Sequence, residues 1–184
     1  MANSGNYKSV LKHFYNAPTD IQKYFDELPS LIENYPWEVS ISYLFSFIEY
    51  IQRLALYCTI VKLHRANPEM TWDAINKQKF SRQEYREFFA RIMGKPLPKS
   101  IAKKIEEAED IRDHVIHGKS TSDAKMRKAV VGVIDYASEF NEFVYERAAL
   151  RPFGSLKGFK GRGISLDKST TRWILKGMGF SNVS

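Results

Sequence analysis

Cysteine is almost missing from this chain: of 184 residues, only Cys58 is one. No intrachain disulfide is therefore possible, and a lone cysteine inside an apolar run reads as a small buried hydrophobe in a reducing compartment. Strand punctuation is equally scarce. Asn-Gly and Asp-Gly hairpin dipeptides are absent, and few stretches alternate strictly between apolar and polar residues. There is no internal repeat and no low-complexity run. The N-terminus lacks a basic segment followed by an apolar stretch, so no signal peptide is expected. Glycine-rich phosphate loops, nucleophilic triads and zinc-type cysteine pairs are absent too. A long uncharged apolar run is also missing. The stretch from Trp37 to Leu63 is broken by Glu38, Glu49, Gln52, Arg53 and Lys62, and its uninterrupted part, Val39 to Ile48, is half of the about 20 residues that a membrane span needs. A cytoplasmic protein with no membrane partner is the expectation.

What the chain has in quantity is helix pattern. The composition, 43% hydrophobic and 27% charged, is that of a globular protein. The spacing predicts a helix over Lys8 to Tyr15. A second follows Pro18 and Thr19, with Ile21, Tyr24, Phe25, Leu28, Leu31 and Ile32 on one face and Pro29 splitting or kinking it. Tyr35-Pro36 opens a long helix to about Ala66, apolar nearly all the way round, which calls for neighbours on all sides or a subunit interface. A short helix is expected over Met70 to Gln78. Ser81-Arg82-Gln83-Glu84 is a capping box ahead of Tyr85, Phe88, Phe89 and Ile92, and Gly94 ends that helix. Another helix runs from about Lys99 to Ile116 and stops at Gly118. The last long one, capped by Thr121, Ser122 and Asp123, reaches about Ala148. The expected fold is all-α: an up-and-down bundle of four to five helices over residues 1–150, then a basic tail over 151–184 with a short helix near Asp167.

The net charge is +7. Beyond residue 150 the chain carries seven basic residues against the single acid Asp167, so the tail holds +6 and the first 150 residues only +1. A field of that kind attracts polyanions. Phe153 to Gly163 mixes cations, glycines and aromatics. Cations track phosphates, aromatics stack on bases and glycines let a backbone come close. Lys157, Lys160, Arg162, Lys168 and Arg172, together with Lys119, are the candidate RNA contacts. Trp173 and Ile174 are expected to dock on the protein.

Chemistry gathers in one segment. Arg112, Asp113, His114 and His117 crowd the end of a helix before Gly118. At about 100° per residue, Asp113 and His117 lie roughly 40° apart, so the carboxylate can hold the imidazole in its charged form. Arg112 lies roughly 140° from His117 on a straight helix. One helix therefore aims both at one point only if its end unwinds or a second chain contributes. Capping of a helix end by basic residues accounts for the same cluster. Asp110, Asp113, His114 and His117 also offer metal-ligand types, but a dicarboxylate bundle site needs matching Glu-x-x-His segments on other helices. None exists, and neither a metal nor another cofactor is expected. Glu49 and Arg53 form an i,i+4 pair in the most apolar helix.

The segment resembles the signature of the HEPN superfamily, the "higher eukaryote and prokaryote nucleotide-binding" helical domains. That signature is an arginine, often followed by a polar residue, then a histidine after four to six intervening residues, late in one helix of a four- or five-helix bundle. Arg112, Asp113 and His117 fit it, and Gly118 follows as it often does. The resemblance spans roughly Tyr35 to Ala148. It implies a metal-independent endoribonuclease of the toxin or defence kind, acting as a homodimer with both motif copies in one cleft. Histidine would move protons at the reacting oxygens and arginine would stabilise charge on the phosphoryl group. Lys119 stands where members paired with nucleotidyltransferase antitoxins often carry tyrosine, which departs from that mode of control, and any antitoxin or other protein partner stays open. Other members are noncatalytic dimers that bind RNA or a protein partner.

Overall fold

Helix signals translate directly into structure. The computed structural model describes residues 7–157, 159–161 and 163–183, and among them there are nine helices and no strand. They are α1 (Tyr7–Tyr15), α2 (Thr19–Tyr24), α3 (Leu28–Asn34), α4 (Trp37–His64), α5 (Pro68–Lys77), α6 (Arg82–Met93), α7 (Lys99–Ile116), α8 (Asp123–Ala148) and α9 (Lys168–Met178). Pro29 stands in the first turn of α3, where its missing N–H leaves no bond unmade, so the break falls just before it. The capping box forms as expected: the Ser81 hydroxyl accepts from the Glu84 N–H at 3.2 Å, and the Glu84 carboxylate accepts from the Ser81 N–H at 2.8 Å. Hydrogen bonds from the Ser81 N–H and from the Ser81 side chain hold the Glu84 carboxyl below the usual carboxylate range. Gly94, at φ +73°, ends α6.

The chain is all-α, as expected. Its helices outnumber the expected four to five and group into two compact units. The first comprises Met1–Glu49, Pro98–Phe143 and Phe153–Ser155; the second comprises Tyr50–Leu97, Val144–Pro152 and Leu156–Ser184. In the first, Ile21, Phe25, Leu28, Ile32, Trp37, Ile41 and Leu44 are buried together with Phe140 of α8. Phe153, read from the sequence as part of an aromatic-basic loop, is core instead. Its ring lies 5.3 Å from Tyr24 and 5.7 Å from Phe25, and its N–H donates to the buried Asn141 side chain at 2.8 Å.

In the second unit α9 packs on α5 and α6. Leu175 and Thr171 face inward and are fully buried. Phe180 meets Phe88 at 5.0 Å and Phe80 at 6.2 Å. The turn that aims Phe180 is Gly179, at φ +103°; a side chain there would be strained and its Cβ would come within 2.9 Å of the Arg91 guanidinium. A side-chain oxygen of Asp167 caps α9 by accepting from the Thr170 N–H at 2.9 Å. The loop before α9 is strapped to Arg65, which donates to the Ile164 carbonyl at 2.9 and 3.1 Å and accepts from the Leu166 N–H at 2.8 Å. Residues 163–183 thus form part of this unit.

One expectation needs correction here. Trp173 does not dock: it is 81% exposed. On α9 it falls between the inward positions Thr171 and Leu175, about 160° away from each on average, and the cap at Asp167 fixes that phase. Of the alternatives for α4, neighbours on all sides or a subunit interface, neighbours within the chain account for much of its surface. In the first unit its Trp37, Ile41, Leu44, Phe45 and Ile48 are buried, and in the second its Ile51, Ala55, Leu56, Cys58, Ile60 and Val61. The chain's own elements therefore cover most of this helix, and its apolarity does not by itself demand a second subunit. Among the described residues α4 is the one helix long and apolar enough to cross a membrane, and 56% of its most apolar window is buried inside the protein.

Candidate functional site

The motif sits where a buried seam runs out. On α7, Ile101, Ile105 and Ala108 are buried, and Arg112 continues their four-three-four spacing at the point where the helix emerges. The Arg112 side chain is only 27% exposed. Its guanidinium stands over the ring of Phe45, 5.8 Å from the centroid, and donates to Glu49 at 3.2 Å. Phe45 and Glu49 are one turn apart on α4, so a single helical face receives the arginine with both a π-surface and a carboxylate. A longer bond, 3.4 Å, joins Arg112 to Asp113.

Five residues on, α7 ends in a Schellman turn. Gly118 takes the left-handed conformation at φ +66°. Its N–H donates to Val115 at 3.1 Å, and the Lys119 N–H reaches back to His114 at 2.9 Å. Glycine enters this conformation without the steric cost that a side chain brings, which suits it to end the helix here. His117 is the C-cap, its backbone N–H donating to Asp113 at 3.1 Å. Its side chain is exposed and, among the described residues, makes no hydrogen bond or ion pair. The expected hold of Asp113 on that imidazole is not seen, because Asp113 turns to the neighbouring Arg112.

Arg112, Asp113 and Glu49 are thus brought together, with His117 at the open end of the same helix. His114 and Lys119 are exposed beside it. The expected tail contacts belong to the other unit. There Lys157 and Lys160 are exposed, Lys168 pairs with Glu69 at 3.1 Å and Arg172 is half-buried; Arg162 lies outside the described residues. The sequence reading paired Glu49 with Arg53. The structure gives Glu49 to Arg112, while Arg53 lies over Phe80, 6.0 Å from its centroid. No local spacing signals a partner 63 positions away.

Charge divides between the units more sharply than between bundle and tail. The first unit holds 11 of the 28 basic and 15 of the 21 acidic residues, a net −4; the second holds 17 and 6, a net +11. A cavity of about 440 Å³ opens between α7 and α8, lined by Ala108, Ile111, Ala129 and Gly132 beneath Lys104 and Lys128. Neither Arg112 nor His117 lines it. Lys104 bonds to Glu139 and Lys128 to Glu107, so much of the charge on this rim is internally paired. His13, given no role from the sequence, pairs with Asp135 at 2.7 Å, and His64 meets the Ile92 carbonyl at 2.9 Å. No group of three or more His, Cys, Asp or Glu side chains among the described residues is placed to hold a metal ion. The chain matches no family model, no curated protein and no solved structure.

Proposed function

We propose that the protein is a metal-independent endoribonuclease of the HEPN type, working as a homodimer. One observation supports this above the others. At the end of α7 a guanidinium is held in place by Glu49 and Phe45, while His117, beyond the last helical turn, presents an exposed imidazole that no neighbour engages. Structural histidines are commonly tied to a partner, as His13 and His64 are in this chain.

In the reaction, the RNA 2′-hydroxyl attacks the adjacent phosphorus and the bond to the 5′-oxygen breaks. One proton leaves the 2′-oxygen and one is supplied to the departing 5′-oxygen. A 2′,3′-cyclic phosphate and a 5′-hydroxyl result. An imidazole can serve as donor or acceptor and so suits either transfer. The arginine's planar donors suit the charge that builds on the non-bridging oxygens. Arg112 leaves α7 where its buried seam ends, and His117 caps the helix end, exposed and without a side-chain partner among the described residues; in this reading two chains pair so that each completes the other's site. The reading requires RNA, since DNA lacks the attacking hydroxyl.

The test is cleavage of a labelled RNA in the presence of a chelator, with product ends identified by mass. Cyclic phosphate ends, persistence in chelator and an about 10²–10⁴-fold lower rate for His117→Ala are expected. Sedimentation at micromolar concentration should show a dimer. A wild-type protein that cuts no RNA while His117→Ala disrupts the dimer would leave a noncatalytic scaffold that binds RNA or a protein. Arg112's engagement by two carboxylates is the observation that favours that second reading.

A further inference from the structure

We infer that the second unit is a single-stranded nucleic-acid grip in which Trp173 stacks on a base and the surrounding cations follow the backbone. This rests on the proposed ribonuclease only for naming RNA as the biological strand; the grip itself uses none of the residues of that site.

What α9 buries leaves Trp173 without a structural task. Its apolar positions, Thr171 and Leu175, are fully covered by the protein, so the helix does not need an aromatic residue to hold it in place. Trp173 nonetheless projects outward, 81% exposed, on a helix whose phase is fixed at both ends by Asp167 and Gly179. Around it on the helix surface stand Ser169 and Thr170 one turn before, and Lys176 and Gly177 one turn after. Three of these are small, and the fourth is an exposed lysine with no ion-pair partner among the described residues. Small neighbours leave the indole faces open, and a cation stands one turn away. That is the composition of a stacking platform: a π-face for a base and a positive charge for the adjacent phosphate.

The field agrees. This unit carries +11, and its cations are not confined to the last helix. Lys79, Lys160 and Lys176 are exposed without a partner among the described residues. A polyanion is the complementary occupant. A lipid surface is the other anionic candidate, and α9 argues against it. A helix that lies in a bilayer interface gives its apolar face to the acyl chains, whereas here that face is already spent on α5 and α6. Duplexes fit less well than single strands, because stacked and paired bases present no free π-face to an indole.

The experiment uses the full chain and fluorescein-labelled oligothymidylate of about 20 nucleotides, read by anisotropy across a salt series. DNA is chosen because it has no 2′-hydroxyl, so binding is measured whether or not the protein cleaves RNA. Wild type should bind with a slope in salt of about −0.7 per phosphate contact. Trp173→Ala should weaken binding about five- to 150-fold, the span of one base–aromatic stack. Trp173→Phe should stay within a few fold of wild type, and Lys176→Ala should lower the salt slope by about 0.7. Because Trp173 is on the surface, circular dichroism should show all three variants folded. Equal affinity for wild type and Trp173→Ala would overturn the inference. So would vesicles of phosphatidylserine and phosphatidylcholine that bind the protein when the oligonucleotide does not.

Discussion

Replacing Arg112 by alanine separates a catalytic arginine from a structural one, because the structure bounds what the residue can be worth to stability. Its ion-pair partner Glu49 is 66% exposed, and pairs of that kind contribute about 0–1 kcal/mol. The contact over Phe45 adds about 0.5–1 kcal/mol. The 3.4 Å bond to Asp113 is too long to add much. The total is about 0.5–2 kcal/mol, against the about 5–15 kcal/mol that holds a typical domain folded, so Arg112→Ala should remain almost fully native at 25 °C. If Arg112 stabilises the transition state, the same substitution should cut the cleavage rate by about 10²-fold or more, equivalent to about 2.7 kcal/mol in the barrier. The assay pairs urea denaturation followed by circular dichroism with single-turnover cleavage of a labelled RNA. Arg112→Lys sharpens it: a lysine keeps the charge beside Glu49, and most of the stability with it, but loses the planar fork, so its rate should still fall about tenfold or more. A variant that cleaves as well as wild type would refute the assignment. So would an Arg112→Ala protein that loses well over 2 kcal/mol together with activity while Arg112→Lys restores both, for then the arginine only holds α7 to α4.

Glu49→Gln should tighten RNA binding a few fold in a filter or anisotropy assay and leave the fold intact, because a phosphate competes with that carboxylate for Arg112. Leu175→Ala, at a fully buried position, should cost about 2–5 kcal/mol in urea unfolding, and ending the chain at Ser155 should unfold the second unit rather than trim a tail. Burial pushes the Cys58 thiol up to about 12, so it stays protonated at pH 8 and should resist Ellman's reagent until the protein is denatured, when the free thiol value of about 8.5 returns. The hydrogen bonds from Thr170 hold the Asp167 carboxyl below the usual aspartate range. Its contribution to α9 is therefore complete above about pH 4 and is lost as the pH falls through the depressed value. Asp167→Ala should show a lower melting temperature than wild type at pH 7 and a smaller difference at low pH.

Much of the fold was legible because its signals are local. Ser81 with Glu84, Gly94, Gly118, and the cap at Asp167 each act within one turn, and the boundaries of α6, α7 and α9 follow from them. The placement of Pro29 was legible for the same reason. What the sequence could not express was long-range partnership. The residue that holds Arg112 lies 63 positions earlier, and the spacing rule that joined Glu49 to Arg53 was true of helix geometry but silent about a better partner on another helix. The aromatics of the C-terminal segment misled for a related reason. Phe153 and Trp173 are both large aromatics in a sequence, yet the first packs in the core against Tyr24 and Phe25 while the phase of α9 turns the second outward.

The division of charge separates attraction from chemistry. The sequence placed the polyanion-attracting field in a tail beside a nearly neutral bundle. In the folded chain the field belongs to a whole unit of +11, and the motif belongs to a unit of −4. An arginine flanked by Glu49 and Asp113 in acidic surroundings is a poor first contact for a diffusing phosphate, since long-range attraction follows the summed charge. It is a better last contact, at short range, where a phosphoryl group that gains charge in the transition state can displace an exposed carboxylate from the guanidinium. Capture would then depend on the basic unit and chemistry on Arg112 and His117. Raising the salt concentration should accordingly lower RNA affinity steeply while leaving the single-turnover rate at saturating protein almost unchanged. A rate that fell in parallel with affinity would mean that the motif itself supplies the binding field, against the charge distribution seen here.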